Sequence, residues 1–119
     1  MLVSSASNAP TRRIATLEGK PIHGGALLVK ALVEGQEMTL LEIFYGAGVR
    51  TPLHSHTHES IIYVLSGKLK ATIEGSVSVI VPGDVCRHPK GVVHGLEAIE
   101  DSVILECKSP APHISGFMA

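Results

Sequence analysis

The residues best suited to chemistry lie in His54-Ser-His56-Thr-His58-Glu59, three histidines and a carboxylate within six positions. On an extended strand, residues i and i+2 face the same side, so His54 and His56 can turn ring nitrogens toward one point. Neutral imidazole is the commonest protein ligand for a transition metal, and a metal needs this convergence. His94 lies forty positions beyond His54, in Pro89-Lys-Gly-Val-Val-His94-Gly95. Two intervening hairpins of short strands would bring it back beside the first pair. Taken alone, His-x-His fits an exposed cluster of rings equally well.

The chain around these residues is punctuated like an all-β domain. Gly67, Gly75, Gly83 and Gly91 fall at intervals of eight, the spacing of short strands joined by tight turns. Ser66-Gly67, Glu74-Gly75, Pro82-Gly83 and Lys90-Gly91 are turn-forming pairs. Leu69, Ala71 and Ile73 alternate with Lys68, Lys70, Thr72 and Glu74, as in a strand with one buried and one wet face. No window carries the i, i+3, i+4, i+7 apolar pattern of an amphipathic helix, so helix content should be low. Residues 26–29, 61–65 and 103–105 are apolar on both faces. A barrel buries only its inner face, so the outer residues need a second sheet, a partner subunit or the N-terminal arm as cover. A homodimer is the expectation. Residues 1–16, rich in Ser, Ala and Asn, read as an arm with Arg12-Arg13 a solvated pair, and 17–119 as a single barrel domain.

Composition narrows the function. A chain of 119 residues has the length of one domain, and 45% hydrophobic against 18% charged residues is a folding composition. Ten Lys+Arg against 11 Asp+Glu leave a net charge of -1, which argues against a nucleic-acid or acidic-membrane binder. No apolar run approaches the roughly 18 residues of a membrane span. The first residues lack the basic region and apolar stretch of a signal peptide. Two cysteines, Cys86 and Cys107, are too few for a disulfide framework, so the expected location is the reducing cytoplasm, with both thiols buried. His23 and His113 read as surface residues, His88 as pocket-lining or structural, and Phe44 and Tyr63 as core or lining the barrel mouth.

Two motifs then stand out together. Gly48, five residues, His54, one residue, His56 and then Gly67 form the first; Gly83, five residues, Pro89, one residue, Gly91, two residues, His94 form the second. In these residues the chain resembles the cupin superfamily, small single-domain cupins of the conserved-barrel type. The resemblance implies a double-stranded β-helix, or jelly-roll barrel, with one metal inside its open end. It also implies that His54, His56 and His94 are metal ligands. The family's remaining ligand, a Glu or Gln four residues after the second histidine, is here Ser60, and the Asn that often closes the second motif is Ala98. A serine hydroxyl is a weak, neutral and shorter ligand. Three readings stay open, in this order: water fills the sphere of three histidines; a bulge re-aims Glu59 or His58 as the ligand; or the site is weak or empty. On a regular strand Glu59 points away from His54 and His56.

A barrel with a His-rich centre and apolar walls is a small-molecule site. The segments 52–58, 63–67 and 93–95 look similar to pectin-degradation-type cupins, which act on unsaturated uronates. The function expected is that of a metal-dependent enzyme, isomerase or oxygenase in type, acting on a small oxygenated metabolite. Its cofactor would be one divalent transition metal: Zn, Fe, Mn, Ni or Cu. Glu59 or His58, if turned inward, would be its general base. The alternative is a non-catalytic binding or sensing protein that uses the same pocket. A transcription factor would need an attached DNA-binding domain, for which the chain has no room.

Overall fold

Wherever apolar and polar side chains alternate, the chain forms strand across residues 2–110, the part that the computed structural model describes. The strands are β1 (Arg12–Ile14), β2 (Thr16–Leu17), β3 (Lys20–Pro21), β4 (Leu27–Glu34), β5 (Thr39–Tyr45), β6 (Glu59–Ile73), β7 (Ser76–Ile80), β8 (Val85–His88) and β9 (His94–Ser109). A single 3-10 turn at Ala6–Asn8 is the only helical element among the described residues. His113 lies outside them.

All strand pairs are antiparallel, in the order β1-β4-β5-β9-β6-β7, with β8 also on β6 and β2-β3 a separate hairpin. The 15-residue β6 and 16-residue β9 run beside each other along their whole length and take part in both layers of the roll. The first half of β6 carries β8 and its second half β7. The connection after β5 returns along the start of β9, where Val49, Thr51 and His54 bond to Ala98, Leu96 and His94. The inner faces meet in one core that includes Leu27, Val29, Ile43, Val64, Leu69 and Ile104.

Several expectations need correcting. Ser66-Gly67 is not a turn. It lies inside β6, where the register with β9 shifts and the strand bends. Gly67 has φ 91°, and a Cβ there would collide with Asp101 O and Ser102 Oγ, so only glycine lets the two long strands approach. Gly75, Gly83 and Gly91 do sit in tight connections with positive φ. Phe44 and Tyr63 are not core: strand parity puts both on the outer face, and Tyr45 takes the inward place. Within the stretch read as an arm, β1 pairs with β4 and Ile14 joins the core, while residues 2–8 stay exposed. Cys86 and Cys107 are unpaired thiols and half-buried rather than buried.

Candidate metal centre

His54 and His94 enter the interior from neighbouring chain segments, joined by a backbone bridge. Each ring is tied to the carbonyl two residues before it: His54 Nδ1 is 2.6 Å from Pro52 O, and His94 Nδ1 is 2.9 Å from Val92 O. His56 Nδ1 lies 2.9 Å from Glu18 Oε1, at the tip of the β2–β3 hairpin. Carbonyl and carboxylate oxygens only accept, so each Nδ1 carries the hydrogen and each Nε2 presents a lone pair. Potential ligand atoms of the three residues lie within 4.8 Å of one another.

Burial lowers the pKa of all three rings, that of His56 to about 2, with the Lys108 ammonium and the neighbouring histidines adding to the effect there. In the cases of His54 and His94 the carbonyl bonds partly oppose it. The rings are therefore neutral at pH 7, and the His56–Glu18 contact is a hydrogen bond to a carboxylate rather than an ion pair. Metal-bound histidines commonly give their second ring N–H to such an oxygen, which fixes tautomer and orientation. His54, His56 and His94 would hold the metal through their other ring nitrogens. The donor set fits a divalent transition metal.

The other candidates divide. His58 is brought in: its ring stacks on His56 at 4.3 Å, and Nε2 accepts from Lys108 Nζ at 3.1 Å. Glu59 is not. No bulge interrupts β6 between Glu59 and Val64, so parity turns Glu59 outward, where Oε2 accepts from Arg87 Nε at 2.6 Å. Ser60 faces inward and is buried, opposite Lys108 on β9 and His88 on β8. Its Oγ lies 3.5 Å from Lys108 Nζ. His88 lines the cavity, its ring 3.9 Å from that of His94. Its buried Nδ1 has no partner among the described residues.

Two residues absent from the expectations dominate the cavity floor. Lys108, 1% exposed, places Nζ 2.8 Å from Oε2 of the buried Glu106. Burial would raise the Glu106 pKa, but the charge and hydrogen bond of Lys108 outweigh it and bring it down to about 2. Burial, reinforced by the charge of Glu106, pushes the Tyr45 hydroxyl well above its ordinary value and the Cys86 thiol up to about 11. The signal was legible: Ile104, Glu106 and Lys108 share inward parity, so charge stands where the strand should be apolar. Glu18 had no such signal, because a Glu-Gly turn does not say what lies above it.

Comparison with known proteins agrees with this architecture. A family model described as "Cupin domain" matches residues 41–107, more than half of the chain. The pectin degradation protein KdgF of Dickeya dadantii is 26% identical over 89 residues, 73% of this chain and 81% of that protein. Quercetin 2,3-dioxygenase of Bacillus subtilis is 34% identical over 85 residues, 70% of this chain but only 22% of the dioxygenase. The crystal structure of an RmlC-like cupin from Shewanella frigidimarina superposes with a TM-score of 0.83 at 22% identity, covering 97% of this chain and 96% of that one.

Proposed function

Because the chain belongs to the cupin domain family, we propose that it holds one divalent transition metal on His54, His56 and His94 and acts as a metal-dependent enzyme on a small oxygenated metabolite. The observation that carries this reading is the convergence of potential ligand atoms of the three histidines within 4.8 Å, each Nδ1 being held by an oxygen so that Nε2 is left for a metal. A bound divalent metal would polarise a carbonyl or hydroxyl oxygen of the ligand. The groups placed to hold or move a proton beside it are His58 Nε2, Lys108 Nζ and Glu106 Oε2, linked at 3.1 and 2.8 Å. Similarity to a pectin degradation protein supports a carbohydrate-derived substrate, and similarity to a dioxygenase supports the oxygenase type.

A non-catalytic carrier or sensor is the second reading, and the outward turn of Glu59 favours it by removing one expected base. We place the protein in the cytoplasm as a homodimer. Unpaired Cys86 and Cys107 support a reducing compartment, and no helix of the described residues is long and apolar enough to cross a membrane. The dimer is supported by an outer face on which Leu28, Phe44 and Val103 form one cross-strand row and Leu105, Tyr63 and Val85 another.

Elemental analysis of protein purified without a histidine tag tests the metal. About one transition-metal ion per chain is expected. No metal, even after metal is offered, overturns the reading. NMR of the loaded protein with a panel of unsaturated uronates separates enzyme from carrier: conversion supports the first, and shifted signals without conversion support the second.

A further inference from the structure

We propose that the outside of the barrel carries a second ligand site, a basin that binds a small phosphate monoester on Arg50, Lys20 and Lys70. The basin lies beyond the bend at Gly67, where the outer faces of β6 and β9 meet the segment after β5. It offers about 520 Å³, the size of a small-molecule site, whereas the cavity beside the histidines offers about 20 Å³. Thr51 and Leu96 line both spaces and separate them, tied together by Thr51 Oγ1, which accepts from Leu96 N at 3.0 Å. No candidate metal ligand lines the basin.

Charge selects the ligand. Glu97 stands opposite Arg50 on one side and Lys70 on the other, in one cross-strand row. Its carboxylate is taken by Lys70, with Oε1 3.4 Å from Nζ. The exposed Arg50 guanidinium is left without a hydrogen bond or ion pair among the described residues. Lys20 reaches the same basin from the β2–β3 hairpin, its Nζ loosely held by Leu53 O at 3.4 Å. Three cations against one carboxylate leave an excess of two positive charges, in a chain whose net charge is -1. A phosphate monoester carries about -1.5 to -2 at pH 7 and presents three acceptor oxygens, which matches that excess. A lone carboxylate supplies half of it, and an extended polyanion meets Glu97 in the middle of the row. Strands about 4.8 Å apart put the Arg50 and Lys70 backbones roughly 10 Å apart, so both long side chains reach one phosphate between them. The floor is Gly95, opposite Thr72. Its φ is negative, so the backbone does not demand glycine, but an added Cβ would press on Leu53 Cδ2 at 3.2 Å. The missing side chain keeps the floor open, with Pro52 and Leu53 as an apolar ledge for the carbon part of the ester.

The test is a titration of 15N-labelled full-length protein with phenyl phosphate, benzoate and phenol, followed by amide chemical shifts. Phenyl phosphate should bind with a Kd below about 1 mM and at least about tenfold tighter than benzoate, and phenol should not bind. The shifts should centre on Arg50, Leu53, Thr72 and Gly95 rather than on His58 and His88. Arg50→Gln should weaken binding at least about tenfold, and Lys20→Gln at least about threefold. Equal affinity for phenyl phosphate and benzoate, shifts centred on the histidines, or wild-type affinity in Arg50→Gln overturns the proposal. So does tighter binding of a short single-stranded DNA at the same amides, which would assign the basin to a polymer. If Arg50→Gln does not fold, Lys20→Gln decides: unchanged affinity overturns the proposal and weakened binding upholds it. The titration needs neither metal nor turnover, so its result stands apart from the metal reading.

Discussion

His54 and His94, forty positions apart, are bonded to each other through their backbones, His54 N to His94 O at 3.0 Å and His94 N to His54 O at 2.9 Å. Their rings stand 4.4 Å apart, each fastened to the carbonyl two residues earlier. Two of the three candidate ligands are thus aimed by main chain, which no side-chain substitution removes. His56 differs, because its orientation depends on one side chain from a distant hairpin.

Replacing Glu18 should therefore weaken the metal site without harming the fold. Glu18→Ala is expected to lower metal affinity about 10–100-fold, the usual effect of losing a carboxylate behind a metal-bound histidine. Because the side chain is half-exposed, stability should change by no more than about 0.5 kcal/mol. Chelator competition and urea denaturation measure the two quantities separately. Unchanged affinity would mean that His56 needs no orienting partner.

The Glu106–Lys108 pair should behave asymmetrically on mutation. Glu106→Ala strands a buried ammonium and is expected to cost about 3–5 kcal/mol. Replacing both residues with methionine removes the charges together and should recover most of that loss. Urea midpoints of the two variants check this. A double variant as unstable as the single one would show that the pair does more than neutralise itself.

Much of this was legible in the chain. Alternation of Leu69, Ala71 and Ile73, with glycines at 75, 83 and 91, marked strands and turns because side-chain period and positive φ are local properties. The histidines showed for the same reason, since spacing of two places His54 and His56 on one side. Gly67 misled because a bend where two strands nearly touch and a turn at a strand end both demand glycine, and only the partner strand distinguishes them. Glu18 was invisible because its meeting with His56 is a matter of tertiary placement. Phe44 and Tyr63 misled because hydrophobicity does not tell the inner from the outer face of a sheet whose outside is also apolar.

Acid should destabilise the metal-free protein in two stages. Burial holds His58 and His88 at about 4, against an ordinary value of 6.5, so the unfolded chain takes up their protons first. Their contribution is complete above pH 6.5 and is lost as pH falls toward 4. Glu106, at about 2 against 4.5, then loses its own contribution between those values. Urea midpoints measured from pH 8 to pH 3 should fall first below 6.5 and again below 4.5. A flat profile down to pH 4.5 would show that the rings are not held neutral.

The outer rows of the sheet lead to a prediction about assembly. Tyr63 is 44% exposed and lies between Leu105 and Val85 across the strands. If this face pairs two chains, Tyr63→Glu should weaken the dimer by at least about 100-fold, since a central aromatic becomes a desolvated charge. Analytical ultracentrifugation should find a dimer for the wild type and a monomer for the variant. A monomeric wild type at high concentration removes the assignment.

Gly67 is the position where the fold should tolerate substitution least. Its φ of 91° lies in the left-handed region, and a Cβ would meet Asp101 O, Ser102 Oγ and Ser102 Cα. Ser102 cannot easily yield, because its hydroxyl accepts from Lys68 N at 3.0 Å and donates to Glu100 O at 2.7 Å. Gly67→Ala thus adds a backbone collision to backbone strain and should cost at least about 3 kcal/mol. Gly75 has φ 78° but nothing within 4 Å of the added atom, so Gly75→Ala reports strain alone, about 1 kcal/mol. Denaturation of both variants under one set of conditions isolates the collision. Equal losses would mean that β6 and β9 can separate at the bend without penalty, and the shared bend would then not hold the two layers together.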